Sequence, residues 1–271
     1  MPKLAVIGHP VAHSRSPAMQ NAALGALGLE DWSYRAIDAA PGAFEMTVRE
    51  LAAVGYAGVN VTVPHKEAAL RLADEASEAA RQIGAANTLV FRKGHIEAHN
   101  TDAPGLLAAY RALPANPVGI RALVLGAGGA ARAAVWAFAK AGAVVYIWNR
   151  TSARADSLHA ELGSYVEIGG APVSSPSEID FGILVNTTTV GLKGEDLLEE
   201  IPIPKDALVE RVVVDMVYGE KPTALLTRAE RAGATTVDGL EILVQQGARS
   251  LEIWTGREPD LDVMREAARR R

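Results

Sequence analysis

The chain contains no cysteine among its 271 residues, which excludes disulfides, thiolate metal sites and cysteine nucleophiles together. It also lacks a tract of basic residues, and its formal net charge is −5, so a nucleic-acid partner is not expected. No basic stretch followed by a long apolar run opens the sequence, so we predict neither a signal peptide nor a membrane anchor. These absences favour a soluble cytoplasmic enzyme that acts on small molecules.

Hydrophobic residues make up 49% of the sequence, enough to bury one large core or two medium ones. Short apolar runs rich in β-branched residues alternate with longer stretches rich in alanine and leucine. This alternation is typical of an α/β fold, in which helices cross over between parallel strands.

The first half is predicted to be an α/β unit with a mixed sheet. The predicted elements are strands 3–8, 32–37 and 58–63, helices 17–27, 41–53, 64–73 and 77–83, and a hairpin of strands 88–92 and 95–98. Lys93-Gly94 is the predicted turn of that hairpin, and its antiparallel strands make the sheet mixed. A further helix is predicted from Asn100-Thr101-Asp102 to about Leu113.

A second α/β set follows residues 114–119, whose two prolines and glycine predict a linker. It consists of strands 121–125, 143–148, 183–186, 212–215 and 235–237 and helices 129–141, 152–161 and 223–232, before closing helices at 240–255 and 260–270. We therefore predict two domains.

A glycine-rich turn opens the second set and predicts a dinucleotide site. Strand 121–125 runs into Gly126-Ala127-Gly128-Gly129-Ala130-Ala131, which then begins a helix. Glycines permit the tight turn and let backbone amides approach a pyrophosphate, which lies on the helix N-terminus. Ala131 is an accepted variant of the third glycine. The alternative is an ordinary strand–turn–helix, but the βαβ context favours the cofactor site.

The end of the next strand indicates which cofactor this is. NAD sites place an acidic residue there, about 20 residues beyond the glycines, to accept a hydrogen bond from the ribose 2′-hydroxyl. Here Asn149-Arg150-Thr151 follows the strand, with Arg154 one helical turn later. A guanidinium suits a 2′-phosphate by its charge and its planar donors, so NADP is predicted. The alternative is a solvated loop arginine.

Lys66 and Asp102 are the candidate proton-transfer residues. Lys66 closely follows Pro64, which predicts the first turn of a helix, where a cation is disfavoured by the helix dipole. A lone lysine is more often a solvated surface residue, but one in a cleft can exchange protons. Asp102 has a structural alternative as a helix cap. Both residues follow first-half strands, where α/β sheets form their clefts.

Ser14 and Ser16 lie in a loop that is predicted to enter a helix. Ser16 before Pro17 is an N-cap pattern, and this is the structural alternative. Two hydroxyls together with free helix amides would also make a carboxylate receptor. His95 and His99 are four residues apart but in a predicted strand, so no metal site is predicted.

These motifs, in this order and spacing, closely resemble those of the shikimate dehydrogenase family from Gly8 to about Gly256. The matching pieces are Gly8-His9-Pro10, His13-Ser14-Arg15-Ser16-Pro17 with Asn21, Asn60-Val61-Thr62-Val63-Pro64-His65-Lys66, Gly84-Ala85-Ala86-Asn87-Thr88, Asn100-Thr101-Asp102-Ala103-Pro104-Gly105, Gly126 to Arg132, Asn149-Arg150-Thr151, Asn186-Thr187-Thr188 with Gly191, Asp215-Met216-Val217-Tyr218, and Gln246-Gly247-Ala248.

The resemblance implies NADP-dependent interconversion of 3-dehydroshikimate and shikimate, a step in the synthesis of aromatic amino acids. It implies that Ser14 and Ser16 bind the substrate carboxylate and that Lys66 and Asp102 form the proton-transfer pair. The remaining implied roles are substrate contacts at Thr62, Asn87, Asp102, Tyr218 and Gln246, pyrophosphate contacts at Gly126, Ala127, Gly128, Gly129 and Ala130, adenosine-phosphate contacts at Asn149, Arg150, Thr151 and Arg154, and nicotinamide contacts at Met216 and Gly239.

The resemblance also implies that the C-terminal helices return to the first domain. Residues 1–101 and 239–271 would then form a substrate-binding domain, and residues 102–238 a Rossmann-type NADP domain. Three alternatives remain: a relative that uses NAD and also accepts quinate, an enzyme like methylene-tetrahydrofolate dehydrogenase, and a non-catalytic nucleotide-sensing regulator on the same fold. Arg150 argues against the first, the paired serines against the second, and Lys66 with Asp102 against the third. Monomer and homodimer are both open.

Overall fold

A computed structural model describes residues 1–204 and 206–270. The chain forms two compact units, one of residues 1–105 with the C-terminal stretch from Leu243, the other of residues 106–242. The strands are β1 (Lys3–Gly8), β2 (Ser33–Asp38), β3 (Tyr56–Val61), β4 (Glu75–Ala76), β5 (Thr88–Arg92), β6 (His95–His99), β7 (Arg121–Leu125), β8 (Val144–Trp148), β9 (Ile183–Asn186), β10 (Val212–Asp215) and β11 (Thr235–Val237). The helices are α1 (Ser16–Ala26), α2 (Phe44–Ala53), α3 (Lys66–Leu72), α4 (Glu78–Ile83), α5 (Asp102–Arg111), α6 (Gly129–Lys140), α7 (Ser152–Leu162), α8 (Leu197–Glu200), α9 (Ala224–Arg231), α10 (Gly239–Thr255) and α11 (Leu261–Arg269).

The first unit is built on a six-stranded mixed sheet in the order β2-β1-β3-β5-β6-β4. Strand β1 is parallel to β2 and β3, whereas β5 is antiparallel to both β3 and β6. The hairpin turn is at Lys93-Gly94, and both residues have positive φ, as a type I′ turn requires. Because of this reversal, the start of β5 and the end of β6 lie at the same edge of the sheet as the end of β3. The mixed sheet confirms the prediction.

The second unit contains a five-stranded parallel sheet in the order β11-β10-β9-β7-β8. Counted within the unit, this is the doubly wound order 2-1-3-4-5, which confirms the predicted Rossmann-type architecture. The order reverses between β7 and β9, and in open α/β sheets ligands bind at the carboxyl ends of the strands beside such a switch point.

The C-terminal helices return to the first unit, as expected. The Gln20 amide in α1 donates to the Gly247 carbonyl in α10 over 3.0 Å. The Trp254 indole donates to the Leu89 carbonyl in β5 over 3.0 Å. The late residues of the chain therefore lie against a helix and a strand formed by its early residues.

Three helix starts differ from the prediction. Helix α3 begins at Lys66 with His65 at its N-cap, so Pro64 lies in the preceding turn and not in the first helical turn. Helix α1 has Arg15 at its N-cap, and Ser16 is its first residue and not its cap. Residues 41–43 form a 3₁₀ turn before α2.

Two short elements, β4 and α8, were not predicted at all. Strand β4 has only two residues and α8 only four, too few to show a hydrophobic period.

Candidate active site

Lys66 and Asp102 form a buried ion pair at the edge of the first sheet. The Lys66 Nζ atom lies 2.7 Å from Asp102 Oδ2, and the side chains are 12% and 8% exposed. Lys66 opens α3 and Asp102 opens α5, and a carboxylate suits a helix N-terminus, whereas an ammonium does not. Asp102 is the first residue of α5 and not its cap, and Asn100 Oδ1 accepts from the Ala103 amide over 3.2 Å. The capping alternative for Asp102 is therefore wrong, and its carboxylate bonds to side chains.

Asn87 holds the second oxygen of this carboxylate. Its Nδ2 donates to Asp102 Oδ1 over 2.9 Å, and its Oδ1 accepts from the Thr101 backbone amide over 2.7 Å. A backbone N–H can only donate, so it fixes which end of the Asn87 amide is the oxygen. Both oxygens of Asp102 consequently have donors, and the carboxylate has one defined orientation.

Gln246 reaches the same cluster from α10. Its Oε1 accepts from Asn87 Nδ2 over 3.2 Å, and its Nε2 donates to the Leu243 carbonyl over 2.8 Å. The close approach of α5 and α10 requires Gly105, because a Cβ atom there would lie 2.6 Å from the Gln246 backbone nitrogen. The structure thus brings together four of the predicted residues: Lys66, Asn87, Asp102 and Gln246.

Behind these residues lies a buried hydroxyl cluster that sequence reasoning missed. Ser250 Oγ lies 2.9 Å from Thr88 Oγ1 and 3.0 Å from Thr101 Oγ1, and Asn60 Nδ2 donates to Ser250 Oγ over 2.9 Å. The Tyr34 hydroxyl donates to Asn60 Oδ1 over 2.7 Å. A polar residue inside an otherwise apolar buried strand, such as Asn60 in β3, is the signal that would have found the cluster.

Ser14, Ser16 and Thr62 lie at the same sheet edge in the first unit, after β1 and β3. The Ser14 hydroxyl accepts from the Ser16 amide over 3.3 Å. The side-chain hydroxyls of Ser16 and Thr62 make no hydrogen bond with the described part of the chain. Their hydrogen-bonding capacity is therefore open to a small polar ligand.

The glycine turn of the second unit has a geometry that fits a pyrophosphate. Gly126 has a φ of +118°, and a Cβ atom on it would lie 2.5 Å from Thr187 Oγ1. Gly128 caps the twelve-residue helix α6 without a side-chain bond, and the space where its Cβ would lie is open. No side chain at Gly128 bonds to the first amides of α6, which lack intrahelical partners and suit an anion. Ala127 completes this turn, and Gly129 and Ala130 are the first two residues of α6.

The residues predicted to bind the adenosine phosphate follow β8. Asn149 Nδ2 donates to the Thr151 carbonyl over 2.8 Å, which shapes the turn into α7. Arg150 and Arg154 are exposed, and neither guanidinium has a hydrogen-bond or ion-pair partner among the described residues. By contrast, Arg132 nearby is buried and paired with Glu161. Two free guanidinium groups at the end of this strand fit a 2′-phosphate.

Met216 and Tyr218 follow β10 in the second unit, and their loop is held by a buried carboxylate. Asp215 accepts from Asn186 Nδ2 over 2.8 Å, the Val217 amide over 3.0 Å and Thr223 Oγ1 over 2.6 Å. Burial raises the pKa of Asp215 to about 6, although these three hydrogen bonds oppose the shift.

Gly239, the other residue predicted to face the nicotinamide, begins α10 against this loop. A Cβ atom on Gly239 would lie 2.6 Å from the Val217 carbonyl oxygen. The predicted nicotinamide residues Met216 and Gly239 are thus neighbours within the second unit.

Among residues 1–204 and 206–270, no group of three or more His, Asp or Glu side chains is arranged to hold a metal ion. His99 pairs with Glu97 over 3.0 Å, whereas His95 lies 3.7 Å from Asp74. None of the helices in this part of the chain is long and apolar enough to span a membrane.

Two family models match the chain. The one described as shikimate dehydrogenase substrate binding domain matches residues 6–89. The one described as shikimate 5′-dehydrogenase C-terminal domain matches residues 239–269. The matched residues include Ser14, Ser16, Lys66, Asn87 and Gln246.

Relatives that match nearly the whole chain include shikimate dehydrogenases and one reductase of another name. The NADP⁺-dependent shikimate dehydrogenase of Methanopyrus kandleri is 44% identical, over 97% of this chain and 93% of its own length. The crystal structure of shikimate 5-dehydrogenase from Thermus thermophilus in complex with NADP(H) and shikimate is 42% identical, with a TM-score of 0.87 and 99% coverage of both chains. A ligand-free 5-ketofructose reductase from Gluconobacter sp. strain CHM43 is 34% identical, with a TM-score of 0.84, over 98% of this chain and 97% of its own.

Proposed function

This chain belongs to the shikimate dehydrogenase family, and we propose that it is the NADP-dependent oxidoreductase that interconverts 3-dehydroshikimate and shikimate in aromatic amino-acid biosynthesis. The observation that carries the proposal is the buried Lys66–Asp102 pair, with the carboxylate oriented by Asn87. A relative 44% identical over nearly the whole chain is an NADP⁺-dependent shikimate dehydrogenase, and a neighbour structure contains NADP(H) and shikimate, which supports the same chemistry here.

Oxidation of shikimate removes a hydride from the ring carbon that bears the reacting hydroxyl and a proton from that hydroxyl. NADP⁺, when bound, accepts the hydride, and the protein handles the proton and the geometry. Lys66 and Asp102 form the pair that takes up this proton, and they return it in the reverse direction. An ammonium and a carboxylate within 2.7 Å can relay one proton through their shared hydrogen bond.

The other residues bind and orient the substrate. The hydroxyls of Ser14 and Ser16 donate hydrogen bonds to the substrate carboxylate. Thr62, Asn87, Gln246 and Tyr218 hydrogen-bond the ring hydroxyls and the reacting centre. Holding the substrate in one pose raises the rate, because the entropy cost of aligning the reacting atoms is met when the substrate binds.

We propose that the cofactor is held mainly by the second unit. The amides of Gly126 to Ala130 bind the pyrophosphate, and Asn149 to Arg154 bind the 2′-phosphate, with Arg150 and Arg154 supplying the charge. Met216 and Gly239 contact the nicotinamide. The exposed and unpartnered guanidinium groups support NADP over NAD, since NAD has no phosphate for them to bind.

The partners are then small molecules, with no nucleic acid and no membrane, and we place the enzyme in the cytoplasm as a monomer or homodimer. The net charge of −5 and the lack of a basic tract support the exclusion of nucleic acid. Light scattering coupled to size-exclusion chromatography decides the oligomeric state.

The test is the initial rate of NADPH formation from shikimate and NADP. The same rate is measured with quinate in place of shikimate, and with NAD in place of NADP. Rapid turnover with shikimate and NADP, and little with the others, is the expected result. Comparable rates with quinate or NAD would leave the family assignment intact and overturn the proposed specificity. Binding of NADPH without turnover of any pair would instead favour a nucleotide-sensing regulator.

A further inference from the structure

The loop that carries the two serines is tied down at both ends. We define the serine loop as residues 9–16, between β1 and the first residue of α1. Its own backbone closes a turn, in which the Ser14 amide donates to the Val11 carbonyl over 3.0 Å. Beyond this turn, the loop is fixed by contacts with two other elements, and neither contact involves a residue assigned to substrate binding.

Asp38 at the end of β2 ties the first part of the serine loop. Its Oδ1 lies 2.7 Å from His9 Nδ1, and its Oδ2 accepts from the Val11 amide over 3.2 Å. The hydrogen bond from His9 holds the pKa of Asp38 below its usual value. The carboxylate therefore bridges a side chain and a backbone amide of the loop, and Val11 passes this constraint to Ser14.

Arg15 ties the second part of the loop to α11. Its guanidinium donates to the Arg270 carbonyl over 2.9 Å and approaches the Ala268 carbonyl at 3.5 Å. The last carbonyls of a helix lack intrahelical partners and carry partial negative charge, so they attract a cation. Arg15 lies between the two serines and would be a natural carboxylate ligand, yet its donors are directed to the end of α11.

We propose that Arg15 is a positioning residue and that α11 serves, through it, as a brace for the serine loop. The inference rests on the proposed function, because it assumes that Ser14 and Ser16 bind the substrate carboxylate. The brace fixes the positions of the Ser14 and Ser16 hydroxyls before the substrate binds, so its loss lowers the affinity for substrate. The substrate carboxylate takes no part in hydride transfer, so the rate at saturation is preserved.

The first test is Arg15→Met, measured as steady-state kinetics with shikimate and NADP. The KM for shikimate should rise about 5- to 20-fold, while kcat and the KM for NADP stay within about twofold, since one charge-assisted hydrogen bond is lost from a half-exposed position. Arg15→Lys retains one donor for the same carbonyls and should recover part of the affinity.

Arg257→Met is the matched control. Arg257 donates to the Leu27 carbonyl over 2.9 Å, so it ties the C-terminal end of α1 to the segment before α11. It is the same kind of contact between the same parts of the chain, but at the end of α1 remote from the serine loop. Arg257→Met should lose similar thermal stability and leave the KM for shikimate unchanged.

Deletion of residues 268 to 271 separates bracing from direct binding. The deletion removes both carbonyls that Arg15 contacts, those of Ala268 and Arg270, and leaves Arg15 in place. If Arg15 acts through α11, the deletion should raise the KM as Arg15→Met does, and the two changes combined should be no worse than either alone. A KM that rises in Arg15→Met but not in the deletion variant would mean that Arg15 binds the substrate itself, and the brace would be wrong.

An active wild-type enzyme whose KM for shikimate is unchanged in Arg15→Met would also overturn the inference and leave the proposed function intact. Wild-type protein without NADP-dependent shikimate turnover would instead mean that the proposed function has failed. Titration of shikimate by the change in protein fluorescence gives its dissociation constant independently of turnover. That constant should shift by the same factor as the KM.

Discussion

The candidate site residues are arranged differently in the two units of this protein. In the first unit, the side chains proposed for catalysis and substrate binding bond to one another: Lys66 to Asp102, Asp102 to Asn87, and Asn87 to Gln246. In the second unit, the groups proposed to hold the cofactor are mostly backbone amides and solvent-exposed side chains. The Gly128 turn is open, and the Arg150 and Arg154 guanidiniums are exposed without partners among the described residues.

The difference follows from what each unit does in the proposed reaction. Proton transfer needs groups held at fixed distances before the substrate arrives, and a buried network with few alternative partners provides this. Recognition of phosphate needs donors that are not already occupied, and free amides and guanidiniums provide those. Substitutions in the first unit should therefore alter rate and stability together, whereas those in the second should alter cofactor affinity.

The largest effect is expected from Lys66→Met, which removes the proposed proton-transfer partner and leaves the Asp102 carboxylate buried without its cation. We expect kcat to fall about 10²- to 10⁴-fold, with a small change in the dissociation constant of shikimate. Steady-state kinetics and shikimate titration measure the two quantities. Lys140→Met, at the end of α6, is the control for loss of a lysine. A kcat unchanged in Lys66→Met would exclude Lys66 from the chemistry.

Charge reversal in Arg150→Asp should act on the cofactor alone. The KM for NADP should rise about 10- to 100-fold, because an attractive charge becomes a repulsive one beside a phosphate. The KM for NAD should change little, and so should kcat with shikimate. Arg231→Asp, on the exposed end of α9, controls for the change in net charge. Equal losses for NADP and NAD would contradict the proposed phosphate contact.

The glycine turn offers two neighbouring positions that should respond differently to alanine. Gly126→Ala forces a side chain into a positive-φ conformation against Thr187, and should lower the free energy of unfolding by about 1–3 kcal/mol. Gly128→Ala puts a methyl group into open space, and should weaken NADP binding with little loss of stability. Thermal unfolding and NADPH titration separate the two. Full NADP affinity in Gly128→Ala would mean that the pyrophosphate lies elsewhere.

Asp215→Asn should change how stability depends on pH. The folded-state pKa of about 6 lies above the ordinary 3.8, so between these values the folded chain binds a proton that the unfolded chain does not. This group alone therefore adds stability as the pH falls from 7 to 4, and the stability is lost as the pH rises through 6. Asn cannot titrate, so wild type should gain about 1–2 kcal/mol relative to the variant over that range, allowing for partial relaxation around the buried carboxylate.

Chemical denaturation at pH 4 and pH 7 measures this difference. Asp238→Asn, which removes a nearby charge that raises the Asp215 pKa only slightly, is the comparison. Parallel curves for wild type and Asp215→Asn would show that the buried carboxyl has an ordinary pKa.

Much of the architecture could be predicted because strand and helix periods are local. The hairpin turn at Lys93-Gly94 and the strand before Gly126 were correctly placed from turn chemistry and apolar runs. The start of α3 was misplaced because proline is common both in the first helical turn and in the turn before it. Sequence alone does not distinguish these two arrangements.

The candidate site likewise contains residues that could be predicted from the sequence and contacts that could not. Lys66 and Asp102 were singled out from their places after strands, but their 2.7 Å contact is a product of the sheet topology. Ser250 was missed because it lies 149 residues from Thr101 along the chain, and a hydroxyl on a helix carries no local signal of burial. The bracing contact from Arg15 to the end of α11 was missed for the same reason.

The central claim is that the first unit sets the rate and the second unit sets cofactor affinity. The most direct test is the preference for NADP over NAD, defined as the ratio of the two kcat/KM values. It is measured in Lys66→Met, in Arg150→Asp and in the double variant. Lys66→Met should lower both kcat/KM values equally and keep the wild-type preference, whereas Arg150→Asp should reduce the preference and keep kcat. The loss in the double variant should then equal the product of the single losses, as for independent sites. A Lys66→Met enzyme that has lost its preference for NADP would contradict the account.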